Sequence, residues 1–363
     1  MSRVILPFKI YCMINADCRA YMRVAVIEAL PYGAEWLTTH LNTMLKGDGE
    51  FLWGTDELPH FSWQFSEIVD TAFVDYALID HEHIVDVTKN ILNNGNYPII
   101  LMSCDIIFNR NEPDERDEYS NIHDYIIYGY DDDRKAFYMA HSSYEGTFEH
   151  LISYDSFKRS YKYIKERMAR RSDEKFEMSI LQYRVITVLK TREYSISDLE
   201  YVHDAMRTIL YYRKSTRHAV SVYDEYGNIS ETYTQHTGLG VLIGIGAFLD
   251  KYTENHEMCR AISRLRHTAK GILEAHMMTE KLLELVGRRL DLSKTEYGQM
   301  QKEYNDLVRT VKQCHLLTLK FEHTSEDRIL MKIKNKYSDV YVKEQALLGR
   351  IYDLLYDKAV NGR

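Results

Sequence analysis

The hydrophobic pattern of this chain changes its period near residue 195. Before that point, helix-like segments alternate with short continuous apolar runs, such as residues 98–104, which are typical of buried strands. After it, apolar residues recur at helical spacing almost to the last residue. The change predicts an α+β domain over residues 1–190, with helices packed on an antiparallel sheet, followed by an all-α helical-bundle domain over residues 191–363.

Local signals predict the elements of both domains. In the first, helices are expected over residues 18–30, 34–45 and 80–92, the last with Asp80 as its N-cap. Strands are expected over residues 98–104, 124–130, 136–140 and 181–189. In the second, Ser197 and Glu200 match a capping box, and long helices are expected over residues 260–290, 295–321 and 325–356. The polar, turn-rich residues 213–235 are interpreted as an insertion between helices.

Composition excludes several classes of function. The 363 residues carry a net charge of −8, so the chain lacks the excess of basic residues that is typical of a nucleic-acid-binding protein. The five cysteines show neither a paired framework nor the C-x-x-C spacing of a zinc site, which indicates a reducing compartment and no metal. The N-terminus lacks the apolar stretch of a signal peptide, and residues 238–249 fall short of the roughly 20 residues of a membrane span. We therefore expect a cytoplasmic protein with no membrane partner.

Cys18 and His123 are the candidate reactive pair. Cys18 lies at the start of the first predicted helix, a position that lowers the pKa of a thiol because the helix dipole stabilises the thiolate. His123 lies at the mouth of an apolar strand. A cysteine on a helix and a histidine on a strand are the two halves of a papain-like thiol enzyme. The backbone N–H of Cys18 and the side chain of Asn15 would form the oxyanion hole.

The other motifs have structural interpretations. A cysteine before an apolar helix is usually a buried thiol, so the prediction for Cys18 depends on its pairing with His123. Cys104 follows an apolar strand and is interpreted as a core thiol. His81 and His83 lie two residues apart on a predicted helix, where they face different sides and cannot share a metal ion.

The order of these elements resembles a known family. An Asp-Cys pair at Cys18 precedes a helix, an apolar strand ends in Asp105, and His123 opens a strand that ends in Gly-Tyr-Asp-Asp. Over about residues 9–161, this order is similar to the N-terminal domain of the butirosin biosynthesis protein H-like family of nonribosomal-peptide gene clusters. The resemblance implies a papain-like fold and transfer of an acyl group from a carrier-protein thioester to an amine, with Cys18 as nucleophile and His123 as base.

One position departs from the family pattern. Members place an aspartate after the strand that follows the histidine strand, and His141 stands at the matching position here. A histidine cannot stabilise an imidazolium as a carboxylate does. The third catalytic residue is therefore either Asp105, at the end of the neighbouring strand, or His141 itself. A Cys-His dyad and a degenerate, non-catalytic copy remain open.

The resemblance also implies partners. The donor would be an acyl or peptidyl carrier protein, whose phosphopantetheine arm makes a cofactor in this chain unnecessary. The acceptor would be an amine such as a polyamine or an aminoglycoside-like molecule. The basic residues 157–171 are a candidate docking face for the acidic carrier protein, and the acidic residues 112–118 a candidate attractor for the amine.

Alternatives to acyl transfer are left open. A cysteine hydrolase (thioesterase, amidase or peptidase) would form the same acyl-enzyme, and a non-catalytic protein would bind the carrier or its intermediate. The helical domain is assigned to acceptor binding, a lid or homodimer formation.

Overall fold

The computed structural model describes residues 2–14, 18–46, 51–54, 67–107, 122–143, 146–170, 185–214, 217–223, 229–254, 259–292 and 296–361. The fold class is α+β, with long helices in the C-terminal half. Contacts divide the chain into two units. Unit 1 comprises Met1–Gly33 and Trp63–Tyr194, and unit 2 comprises Ala34–Ser62 and Ser195–Arg363. The predicted division at residue 190 differs from this arrangement in one segment, because Ala34–Ser62 joins the second unit.

The described elements are numbered in chain order. The strands are β1 (Arg3–Ile5), β2 (Asn42–Lys46), β3 (Phe51–Gly54), β4 (Val69–Asp75), β5 (Asn96–Ser103), β6 (Ile122–Asp131), β7 (Ala136–Ser143), β8 (Gly146–Ser153), β9 (Val185–Thr191), β10 (Arg217–Tyr223) and β11 (Ile229–Thr237). The helices are α1 (Cys18–Ile27), α2 (Gly33–His40), α3 (Ile84–Asn93), α4 (Cys104–Ile107), α5 (Tyr154–Arg170), α6 (Asp198–Lys214), α7 (Gly240–Glu254), α8 (Cys259–Arg289), α9 (Glu296–Thr324) and α10 (Asp327–Asn361).

Unit 1 is organised around β6. Within the described residues its sheet has the order β4-β9-β5-β6-β7-β8, all antiparallel, and β1 pairs with the second half of β6. Strand β6 is continuous and apolar, which suits a central strand covered on both faces. A register shift between Ile127 and Gly129 leaves Tyr128 as an extra residue, as in a β-bulge.

The two faces of this sheet pack against different helices. One face carries Tyr125, Ile127 and Met139, which join a hydrophobic cluster with residues of α3 and α5. Neighbouring strand residues point to opposite faces, so Ile126 and Ala140, which pair with each other and are fully buried, lie on the other face.

Helix α1 covers the face that carries Ile126 and Ala140. It contacts β6 and β7, and its Tyr21 lies edge-on to Phe8, with 6.3 Å between ring centroids. Phe8 in turn stacks on Tyr128 of β6 at 4.6 Å. The sheet therefore lies between α1 on one side and α3 with α5 on the other.

Unit 2 is not the all-α bundle that we predicted. Its long helices α8, α9 and α10 pack in succession, but β2, β3, β10 and β11 form a sheet of four described strands in the order β10-β11-β2-β3. The predicted insertion at residues 213–235 is largely the hairpin of β10 and β11. The predicted helix over residues 34–45 ends at His40, because the following residues pair with β11.

Several local predictions agree with the structure and others are wrong. The capping box is confirmed, since Ser197 Oγ accepts the N–H of Glu200 at 3.3 Å and Glu200 accepts the N–H of Ser197 at 3.0 Å. The third helix begins later than predicted, with His83 as N-cap, and Asp80 instead accepts the N–H of Glu82 in a turn. Strands β1, β4 and β8 of unit 1 and the four described strands of unit 2 were not predicted. None of the helices in the described ranges is both long enough and apolar enough to cross a membrane.

Candidate functional site

His123 lies at the start of the central strand and has a fixed tautomer. Its Nδ1 is 2.8 Å from the carbonyl oxygen of Asp124. A carbonyl can only accept, so Nδ1 carries the proton and donates it. In the neutral ring the lone pair is then on Nε2, which is the atom available as a general base. The backbone carbonyl therefore fixes the tautomer of this ring, as a carboxylate does in a catalytic triad, although the carbonyl carries less negative charge.

His141 lies beside His123 on the neighbouring strand. The two ring centroids are 5.1 Å apart, with their planes at 63°. Tyr125 contacts both rings, at 5.9 Å from His123 and 4.8 Å from His141. All three are brought together because alternate residues of β6 share a face and β7 pairs beside them.

A third histidine extends this cluster onto β8. Nε2 of His150 lies 3.2 Å from Nδ1 of His141, and the two ring planes are within 22° of each other. Phe148, which pairs with His141 in the strand register, stacks on the His141 ring at 5.3 Å. We call His123, His141 and His150 the histidine row. The row crosses three adjacent strands on one face of the sheet.

The electrostatics of the row keep two of its members neutral. Burial, together with smaller contributions from the neighbouring His123 and His150, lowers the pKa of His141 to about 3. Burial also lowers the pKa of His150, although the carboxylate of Glu149 acts in the opposite direction. At neutral pH, His141 therefore adds no positive charge beside His123.

Cys18 is the first residue of α1, as predicted, and α1 contacts the two strands that bear His123 and His141. The histidine row lies on the face packed by α3 and α5, whereas α1 covers the opposite face. Cys18 and His123 both lie at the ends of their elements. Contact between them would have to occur around the end of β6, because the sheet separates the rest of α1 from the row. Asn15 lies outside the described residues.

Asp105 and Cys104 follow β5 on the short helix α4. Asp105, a candidate third catalytic residue, is buried, and the hydrogen bond of His123 Nδ1 goes to the carbonyl of Asp124. Cys104 is half-buried rather than a fully buried core thiol, and its Sγ lies 3.1 Å from the hydroxyl of Tyr125. Cys104 is thus linked to the histidine row through Tyr125.

The remaining motifs are less informative. The acidic residues 112–118 lie outside the described residues. Most of the basic segment 157–171 lies on α5, where Lys158 pairs with Glu82 and Lys165 donates to the carbonyl of Ile79. His81 binds its own neighbours Asp80 and Glu82. Across the part of the chain that the structure describes, no three His, Cys, Asp or Glu side chains are arranged to hold a metal ion.

His150 and Tyr125 are the site residues that sequence reasoning missed. No strand was predicted between residues 140 and 181, so His150 had no strand and no neighbours. In β8, His150 and Ile152 alternate with the more exposed Glu149, Leu151 and Ser153, which is the period-two pattern of a half-buried strand.

Comparisons with known proteins assign no family to this chain. No family model matches it, and no curated protein is significantly similar to it.

Proposed function

We propose that this protein is a papain-like, cysteine-dependent acyltransferase that takes an acyl group from a thioester and delivers it to an amine. The observation that carries the proposal is that Cys18 is the first residue of α1 and His123 the second residue of β6, a strand that α1 contacts, so the proposed contact between their side chains is around the end of β6. The sequence pattern of a helix-borne cysteine and a strand-borne histidine supports the same interpretation.

The first half-reaction acylates the enzyme. Nε2 of His123 accepts the thiol proton of Cys18, and the thiolate attacks the carbonyl carbon of the thioester. The tetrahedral intermediate then expels the thiolate of the donor, which receives the proton from His123. The backbone N–H of Cys18 stabilises the oxyanion, because the first N–H groups of a helix have no acceptor within the helix.

The second half-reaction releases the product. The amine attacks the carbonyl carbon of the acyl-cysteine and gives a proton to His123, and the intermediate collapses to an amide and the thiolate of Cys18. Water in place of the amine would give the free acid, so the same site would be a hydrolase if water reached the acyl-enzyme. A carrier protein as donor, an amine as acceptor and a cytoplasmic location complete the proposal.

Intact-protein mass spectrometry with short acyl thioesters tests the covalent step. We expect the wild type to gain the mass of the acyl group and Cys18→Ala to gain none. The matched control is Cys104→Ala, because Cys104 is the thiol linked to the histidine row and loss of its sulfur tests the competing nucleophile. The opposite pattern, with acylation retained in Cys18→Ala and lost in Cys104→Ala, would reject Cys18.

Two further outcomes separate the alternative functions. His123→Ala is expected to slow acylation by about 10²–10⁴-fold, as for loss of a general base. Addition of amines to the acylated protein should yield an amide, whereas release of free acid alone favours the hydrolase. If the wild type neither gains mass nor consumes any thioester, the proposed enzyme is wrong and a non-catalytic binding role is favoured.

A further inference from the structure

We propose that a cavity in unit 2 binds a small uncharged molecule that carries a hydroxyl group on a short apolar chain. Residues of α2, β2, α6, α8 and α10 line this cavity, whose open space is about 400 Å³ including the part that is open to solvent. A cavity of this size is at the lower end of the range for small-molecule sites, so the ligand has to be small. The proposal goes beyond acyl transfer and does not depend on it, because neither Cys18 nor His123 belongs to unit 2.

Most of the cavity wall is apolar. Six of the residues that line it have apolar side chains, namely Leu41, Ile209, Ala275, Met278, Leu282 and Leu348. A water molecule makes no hydrogen bond to such groups, whereas an alkyl chain is stabilised when it leaves water and contacts them. The wall therefore favours a ligand with an apolar portion.

The polar part of the wall consists of Tyr212 and four threonines, Thr38, Thr43, Thr208 and Thr279. Three of these threonines donate their hydroxyl proton to a backbone carbonyl, Thr38 to Glu35 at 3.1 Å, Thr208 to Thr39 at 2.8 Å and Thr279 to Ala275 at 3.2 Å. A hydroxyl oxygen that donates its proton keeps lone pairs and is still able to accept a hydrogen bond. These threonines therefore suit a ligand that donates one.

Thr43 is the threonine of this wall whose hydroxyl proton is not committed. The residue is only 3% exposed, and its hydroxyl has no hydrogen-bond partner among the described residues. A buried polar group in a folded protein is normally satisfied by protein, water or a bound molecule. A ligand hydroxyl is able to accept the proton of Thr43 and to donate to the lone pair of another threonine, so it matches both functions of the wall.

The electrostatics of the cavity disfavour a charged ligand. None of the described residues that line it is charged, and Tyr212 stays neutral because burial and the nearby charge of Glu344 raise the pKa of its hydroxyl. The carboxylate of Glu344 is itself paired with His276 at 2.9 Å and accepts a hydrogen bond from Tyr304 at 2.6 Å. A carboxylate or an ammonium ion in the cavity would therefore lose its hydration without gaining a counter-ion.

Methyl NMR of methionine-labelled protein tests the binding, because Met278 lines the cavity. The probes are n-butanol, butyrate and n-butylamine, which have the same chain length and differ in their polar group. We expect n-butanol to shift the Met278 methyl signal, assigned by its loss in Met278→Leu, until the shift saturates. Butyrate and n-butylamine should give no saturable shift over the same concentrations. If n-butanol gives none either, the cavity holds ordered water only and the proposal is wrong.

Substitutions at Thr43 test the hydrogen bond to the ligand. Thr43→Val removes the hydroxyl while nearly keeping the shape of the side chain, and it should weaken n-butanol binding by about 3–10-fold, the usual value of one hydrogen bond. Thr43→Ser keeps the hydroxyl and should bind n-butanol more tightly than Thr43→Val. Equal affinities of Thr43→Val and the wild type would overturn the assignment of Thr43 as the partner of the ligand hydroxyl.

A substitution that fills the cavity tests where the ligand binds. Ala275→Leu places a larger apolar side chain on the wall and should abolish the saturable shift of the Met278 methyl signal. Circular dichroism checks that the helices of this variant are retained, and the Thr43 variants provide the test if they are not. A folded Ala275→Leu variant that binds n-butanol with the wild-type affinity would place the ligand elsewhere and overturn the proposal.

Discussion

His123 donates a 2.8 Å hydrogen bond from Nδ1 to the carbonyl oxygen of Asp124, the residue that follows it in β6. The donor and the acceptor belong to adjacent residues of one strand, so the bond needs no contact from another element. It fixes the tautomer of the base without any contribution from a third side chain. A carboxylate at position 141 is therefore not needed to direct Nε2 of His123 towards a thiol.

The first prediction follows for His141→Asp, which restores the acid of the family pattern. We expect this variant to acylate no faster than the wild type, because the carbonyl of Asp124 already fixes the tautomer of His123. The measurement is the acylation rate by mass spectrometry at pH 7, with His141→Asn as the uncharged control. A rate above that of the wild type would mean that position 141 works best as a carboxylate.

The second prediction concerns the stability of unit 1 in acid. The pKa of His141 is about 3 in the folded protein, against its ordinary value of 6.5. Between these values the ring is protonated in the unfolded chain but not in the folded protein. The free energy of unfolding therefore falls as the pH drops below 6.5. Hydrogen exchange of the β6 and β7 amides at pH 7, 6 and 5 measures this fall.

A matched variant isolates the contribution of this one ring. His141→Gln cannot titrate, so the difference in free energy of opening between it and the wild type should change steadily over the same pH range. Equal pH dependence in the two proteins would show that His141 titrates with an ordinary pKa.

The third prediction concerns the basic face of α5, if the acyl donor is a carrier protein. Lys162 has a side chain that is 53% exposed, and Arg159 is also exposed on this helix. Reversal of charge in Arg159→Glu/Lys162→Glu should raise KM for a carrier-bound acyl group, since such charges steer association. It should leave KM for a short acyl thioester unchanged, because a small donor makes no contact with α5.

A charge reversal elsewhere is the control for this effect. Arg309 of α9 has a side chain that is 78% exposed, and Arg309→Glu changes the net charge without touching α5. If Arg309→Glu raises KM for the carrier-bound donor as much as the α5 variant does, the effect comes from net charge and not from docking.

The sequence predicted elements that local signals define. The capping box at Ser197 and the three long helices of unit 2 depend on residues a few positions apart, and their predicted bounds lie within a few residues of the observed ones. The strands of unit 2 depend on distant partners. Thr237 pairs with Met44, almost two hundred residues away, and no local pattern carries that information.

The residues of the candidate site also include some that local sequence signals predict and others that depend on distant strands. The short apolar runs predicted that His123 and His141 lie at the ends of neighbouring strands. They did not predict which other side chains surround the two rings. His150 reaches the row only because β8 folds back beside β7, and the hydrogen bond to His141 depends on that register. The tautomer of His123 likewise cannot be predicted from the sequence, because the hydrogen-bond partner of its Nδ1 is a backbone carbonyl.

The last prediction concerns a buried ion pair in unit 2. Nε2 of His276 lies 2.9 Å from Glu344, its Nδ1 donates to the carbonyl of Ile272 at 2.7 Å, and Tyr304 donates to the other carboxylate oxygen at 2.6 Å. Burial alone would lower the pKa of His276, but the charge of Glu344 and the hydrogen bonds outweigh it and raise the pKa. The stabilisation is therefore complete below the unfolded pKa of about 6.5 and is lost as the pH rises through the folded pKa.

Removing one member of this ion pair should destabilise the protein more than replacing both members with apolar residues. Glu344→Leu leaves a buried histidine without its counter-ion and should lower the free energy of unfolding by about 3–5 kcal/mol at pH 6. His276→Phe/Glu344→Leu removes both charges and should be destabilised less than Glu344→Leu alone, since an apolar pair carries no desolvation penalty. Urea denaturation of the single and double variants at pH 6 and pH 8 measures both effects. A double variant that is less stable than Glu344→Leu, or a wild-type stability that rises between pH 6 and pH 8 relative to the double variant, would contradict a charged pair at this position.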